Sequence, residues 1–95
     1  MLLRAYTLHD VKALTYSPPF YQSNDALAIR MLDDLVNDMN TSVGRHPADY
    51  KLYCVGTYDD GTGALKPLEI PEHITDAINL VMPKPSAMHN NLRKE

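Results

Sequence analysis

A chain of 95 residues and 10.7 kDa holds one small domain and leaves no room for a second core. Hydrophobic residues at 44% and charged residues at 22% are the proportions of an ordinary globular chain and argue against disorder along the whole length. A net charge of −3 argues against a generally basic nucleic-acid coat, and a single cysteine, Cys54, excludes an internal disulfide framework and a cysteine-rich zinc site.

Residues 2–8 read as a strand, with Leu2, Arg4, Tyr6 and Leu8 on one face and Leu3, Ala5 and Thr7 on the other. His9-Asp10 reads as a turn and residues 14–16 as a short return strand. Pro18-Pro19 ends any ladder, because proline has no N–H to donate and fixes its own φ, so residues 17–20 should run extended. The spacing then predicts a helix over 23–40. Ser23 or Asn24 can cap its first turn, Asp25 suits the positive end of the helix dipole, and Ile29, Leu32, Leu35, Val36 and Met39 recur at helical steps. Arg30, Asp33, Asp34, Asn37 and Asp38 take the opposite side. Residues 41–47, with Gly44 and Pro47, read as a loop.

A hairpin follows, with strands over 50–58 and 64–68 joined by a turn over 59–63, where Asp and Gly supply the positive φ of tight β connections. Alternation puts Tyr50, Leu52, Cys54 and Tyr58 on one face and Lys51, Tyr53, Val55 and Thr57 on the other, with Gly56 marking a bulge or a close backbone approach. Pro71 fits the first position of a short helix over 71–81, with Ile74, Ile78 and Val81 as its apolar edge. The expected fold is α+β. A small antiparallel sheet of three to four strands carries one long and one short helix on one face, in the order β-(β)-α-β-β-α. Residues 1–81 form the single domain, and residues 82–95 read as a flexible C-terminal tail.

Several chemistries are missing. Gly56, Gly61 and Gly63 sit in a hairpin, not in a phosphate-binding loop between strand and helix. His9, His46, His73 and His89 are scattered, without the clustered spacing of a metal site or of a rolling-circle nicking enzyme. Cys54, between Leu52 and Gly56 in an alternating strand, reads as a small buried hydrophobe, not as an activated nucleophile. Asp33, Asp34 and Asp38 read as a solvated helix face, and Asp59 and Asp60 as turn formers. The expectation is a non-enzymatic protein with no cofactor and no metal. No apolar run approaches the roughly 20 residues needed to span a bilayer, and the first ten residues lack the pattern of a signal peptide. A cytoplasmic protein with no membrane partner is expected.

Six tyrosines against one phenylalanine and no tryptophan make a lopsided aromatic set. Exposed tyrosine on a sheet face beside Lys or Arg can stack unpaired bases at about 1–3 kcal/mol each. Tyr53 shares a strand face with Lys51 and Thr57, and Tyr6 shares one with Arg4. The competing reading packs these rings against helix residues or in a dimer interface, where tyrosine is also favoured.

Three stretches carry a family resemblance: Tyr16-Ser17-Pro18-Pro19-Phe20, then Asn24-Asp25-Ala26 leading into Ile29-Arg30, then Ala48 to Asp60 closing on Gly63. The most specific is the string Asp49-Tyr50-x-Leu52-Tyr53-x-x-Gly56-x-Tyr58-Asp59. Over roughly residues 2–70 the chain resembles the small non-structural protein of gokushovirus-type microviruses, which are single-stranded DNA phages of bacteria. The resemblance implies a small intracellular protein with a role in DNA binding or genome replication, and it brings no catalytic residues. The leading expectation is a protein of the host cytoplasm that binds single-stranded DNA through Arg4, Tyr6, Lys51 and Tyr53, with Arg45 from the preceding loop. The alternative is a homodimeric interaction module that regulates a host or phage replication protein through its sheet or acidic helix. A homodimer is expected because a minimal sheet with two apolar faces leaves surface to cover.

Overall fold

The structure is a computed structural model and describes residues 1–82. Five antiparallel strands form one sheet: β1 (Leu2–Asp10), β2 (Thr15–Tyr16), β3 (Phe20–Gln22), β4 (Tyr50–Asp59) and β5 (Leu65–Asp76). The order is β2-β1-β4-β5, and β3 also pairs with the outer edge of β1. The architecture is the α+β one expected, with the helical layer on one face. The core lies between the layers, where Tyr6, Leu8, Leu52 and Cys54 of the sheet meet Ala28, Leu32, Val36, Val43 and Ala77. Most of the expected tail lies outside the described residues.

The first connection is shifted from its expected place. β1 continues through Asp10, whose side-chain oxygen accepts from the backbone N–H of Lys12 and Ala13, and the turn closes with Leu14 at a φ of 59°. After Pro18-Pro19 the chain re-enters the ladder as β3, which alternation alone did not reveal.

Helix α1 (Asp25–Val36) is capped by Asn24, whose side-chain oxygen accepts from Leu27 N–H. It buries Ala28, Leu32 and Val36 but ends four residues before the expected Asn40. Asn37 stops it by donating from its side chain to the Asp33 and Leu80 carbonyls, while its oxygen accepts from Met82 N–H. Met39 accordingly leaves the apolar stripe and stands 68% exposed. The expected loop at 41–47 contains one more short helix, α2 (Ser42–Arg45), capped by Thr41. Gly44 fits there because α2 lies against the end of α1: a Cβ would stand 2.0 Å from the Asp38 carbonyl oxygen.

β1 and β4 pair in register until Ala5–Gly56 and Tyr6–Cys54, where Val55 is the extra residue of a bulge. Beyond it the faces exchange, since a one-residue shift moves every later side chain across the sheet. Thr57 therefore pairs with Arg4 on the helical side, and Tyr58 pairs with Leu3 on the open side. The sequence reading of these two positions is corrected in consequence. Gly56 is needed at the bulge because a Cβ would lie 2.5 Å from the Lys66 carbonyl oxygen of the neighbouring strand. Gly56→Ala should cost about 1–3 kcal/mol as overpacking, read as a lower urea midpoint at an unchanged slope.

The helix expected over 71–81 is replaced by strand. β5 runs to Asp76, and only Ala77–Leu80 makes a single 3-10 turn. Pro67 and Pro71 are tolerated because β5 is an edge strand. Leu68 to Pro71 loop out between the Gly56–Pro67 and Cys54–Glu72 pairs, opposite Val55 alone. Pairing with β4 outweighs the local preference of Pro71 for a helix start. Ile74 and Leu80 pack on the core as helix residues would, whereas Ile78 is 48% exposed.

Candidate functional site

Arg4 and Tyr6 share a strand face, but it is the face that the helices cover. Tyr6 is fully buried, and its hydroxyl donates to Asp25 Oδ1 at 2.6 Å. Burial, reinforced by that bond, pushes the phenol up to about 12. Arg4 donates from Nε to the same carboxylate at 2.9 Å and from Nη2 to Glu72 at 2.8 Å. The bond to Glu72 raises the guanidinium above its already high ordinary value. The four residues tie the start of α1 to β1 and β5. Tyr6 offers no ring to a base, so its expected stacking role is corrected, and the Arg4 charge is matched by two carboxylates. Arg45 belongs to α2 in the helical layer and donates to the Met39 carbonyl at 3.1 Å. Of the five expected residues, Arg4 and Tyr6 stand together on the covered side of the sheet, and only Lys51 and Tyr53 stand together on the uncovered one.

These two lie on the side of the sheet opposite the helices. Tyr53, half-buried, is the centre of an aromatic cluster drawn from four strands. Tyr16 of β2 and His73 of β5 meet its ring edge-on at centroid distances of 6.0 Å and 5.5 Å. His9 of β1 stands 6.2 Å from it and stacks on Tyr16 at 4.3 Å. The register explains the gathering, since Thr7 and His73 pair with Tyr53 from either side and His9 pairs with both Lys51 and Tyr16. Tyr16 is 52% exposed, so a ring face remains open to solvent.

Asp76 organises the polar rim of this cluster. One of its oxygens takes both His73 Nε2 at 2.6 Å and Lys51 Nζ at 3.1 Å. The hydrogen bond from His73, followed by that from Lys51, holds the Asp76 carboxyl below the usual carboxylate range. The carboxylate fixes Lys51 and His73 beside Tyr53 and offsets part of the Lys51 charge.

An apolar cleft of about 340 Å³ continues from the cluster along the same face. Ala5 and Val55 line it together with Pro19, Tyr21, Leu65 and Pro67. A second hollow, bounded by Thr7, Tyr16, Pro19, Val55 and Pro71, lies between the cleft and the cluster. In its wall the Thr7 hydroxyl donates to the Ser17 carbonyl at 2.7 Å. The bulge at Gly56 brings Tyr58 onto this face, where it meets Tyr21 at 5.4 Å.

Sequence reasoning missed Tyr16, His9, His73, Tyr21 and Tyr58 as members of this surface. The one signal available was Gly56, whose bulge decides the side of Tyr58. Cys54 is buried in the core as expected. Among the described residues no group of three or more His, Cys, Asp and Glu is placed to hold a metal ion. No helix among them is long and apolar enough to cross a membrane.

The sequence profile of the family described as Phage ORF5 protein matches residues 3–80. Comparison with curated proteins and with solved structures finds no match.

Proposed function

The chain belongs to the Phage ORF5 protein family, and from that premise we propose that it binds single-stranded DNA on the open face of its sheet. The setting would be genome replication in a small single-stranded DNA phage of the gokushovirus type, within the host cytoplasm. The protein acts by binding and carries no catalytic role of its own. The observation that carries this reading is the Tyr53 cluster: a half-buried ring flanked by Tyr16, His9 and His73, with Lys51 at its rim, on a face that no helix among the described residues covers. Aromatic rings beside a cation accept any unpaired base by its π-face, which suits a strand of varied sequence.

The acidic balance of the chain is compatible with this because part of the negative charge lies away from the open face. Asp33 and Asp34 stand on α1 and Asp38 just beyond its end, on the other side of the sheet. The test is fluorescence anisotropy of labelled single-stranded and duplex oligonucleotides across salt concentration. Binding that prefers the single strand and weakens as salt rises supports the reading; no binding at low salt overturns it. Asp76→Asn should tighten binding by up to about fivefold, because it frees Lys51 and His73 from a competing carboxylate. Unchanged or weaker binding would show that this rim does not meet phosphate.

A second reading, a homodimer that regulates a replication or host protein, draws on the exposed Leu65 and Ile70 of β5 at 59% and 76%. It predicts a doubled mass by analytical ultracentrifugation and tyrosines inaccessible to oligonucleotide.

A further inference from the structure

The Tyr53 cluster holds two imidazoles whose charge the stacking argument leaves unused. His9 and His73 stand on the open face by register: His9 pairs with Lys51 and Tyr16, and His73 pairs with Tyr53. His9 lies over the Tyr16 ring at 4.3 Å. The His73 side chain is 49% exposed, and its Nε2 lies 2.6 Å from Asp76 Oδ1. An ionised carboxylate only accepts, so Nε2 carries the hydrogen and Nδ1 of the neutral ring is an acceptor. An acceptor does not meet a phosphate oxygen favourably. Protonation turns Nδ1 into a donor while the bond to Asp76 stays in place.

The charged and titratable groups around the two rings are few. They are Lys51 and Tyr53 of β4, Tyr16 of β2, Asp76 of β5 and Asp10, the neighbour of His9 in β1. Among these residue types only histidine ordinarily changes charge between pH 5 and 8. The backbone N–H of Ala13 holds the Asp10 carboxyl below the usual carboxylate range, as His73 and Lys51 hold that of Asp76. Both carboxylates therefore stay ionised across that window. Lys51 and Asp76 balance one another at 3.1 Å. Each protonated imidazole then adds one positive charge beside Tyr53.

We propose that His9 and His73 are proton-linked phosphate contacts, each taking, when protonated, a phosphate oxygen of the strand whose base stacks at Tyr53. The proposal rests on the reading that the open face takes single-stranded DNA. Binding then tightens as pH falls through the histidine range. By the reciprocity of linkage, the bound strand draws protons onto the two rings.

The experiment uses the full chain and a labelled oligothymidylate of about 12 nucleotides. Anisotropy is read against salt at about pH 8 and about pH 5.5, either side of the ordinary histidine value. Wild type should bind about 2- to 30-fold tighter at the lower pH, the gain from two exposed charge pairs. Its salt slope should steepen by up to about 1.4, about 0.7 for each phosphate met on a single strand. His9→Gln combined with His73→Gln should abolish both changes, whereas His46→Gln, at the end of α2, should leave them. The readout is the ratio between the two pH values, which the loss of a ring contact alone does not move. His73→Lys, charged at both values, should reduce that ratio by tightening binding at pH 8. Wild-type affinity and slope that are the same at both pH values overturn the proposal and leave the parent reading in place. A pH dependence that survives in the double variant overturns it too. Failure of the wild-type protein to bind at either pH overturns both.

Discussion

Tyr6→Ala is expected to cost about 3–5 kcal/mol of stability, the range for truncating a buried aromatic ring. Total stabilities of single domains are about 5–15 kcal/mol, so this variant should sit near the unfolding threshold. The ring is fully buried against the core, and its hydroxyl shares Asp25 with Arg4. Tyr6→Phe keeps the ring and loses only the hydrogen bond to a charged carboxylate, for about 1.5–3 kcal/mol. The same hydroxyl makes a pH prediction. Its folded-state value is pushed up to about 12, against about 10 in the unfolded chain. The contribution is therefore fully present below pH 10 and is lost as pH rises from there through 12, by up to roughly 3 kcal/mol. Urea midpoints at neutral and alkaline pH measure it. Wild type should lose stability across that window, and Tyr6→Phe should lose less.

Tyr53→Ala should act the other way round, weakening single-strand binding by about 5- to 150-fold with far less effect on the fold. Its ring is half-buried on the open face and touches other rings edge-on, so truncation opens no core cavity. No charge is removed, so the salt slope should stay unchanged. Lys51→Ala should instead lower that slope by about one, with a modest loss of affinity because Asp76 already offsets part of its charge. Separation of the two effects, ring from slope, distinguishes stacking from general attraction to phosphate. If both variants bound DNA like wild type while remaining folded, the open face would not be the site.

The contrast between Tyr6 and Tyr53 shows what was legible in the sequence. Features set by neighbours in the chain could be read directly: the alternation of β1, the Asn24 cap and the Asp59–Gly63 turn with Gly63 at positive φ. Lys51 and Tyr53, two apart on one strand, share a face for the same reason. Alternation also grouped Arg4 with Tyr6 correctly, but nothing local says which face of a strand the helices will cover. Features that depend on distant pairing were hidden. Pro71 is a good helix start in isolation, yet β4 recruits residues on both sides of it into an edge strand. The Val55 bulge arises between β1 and β4, so Tyr58 was assigned to the wrong face until that register was known. Tyr16, His9 and His73 surround Tyr53 through cross-strand register and share no motif in the chain.

The most direct test is chemical-shift mapping on isotope-labelled protein titrated with unlabelled oligothymidylate at low salt. The account predicts that the perturbed signals fall on His9, Tyr16, Lys51, Tyr53, Val55 and His73, while those of α1 stay in place. Perturbations centred on Asp33, Asp34 and Arg45 in the helical layer, or none at all, would contradict it.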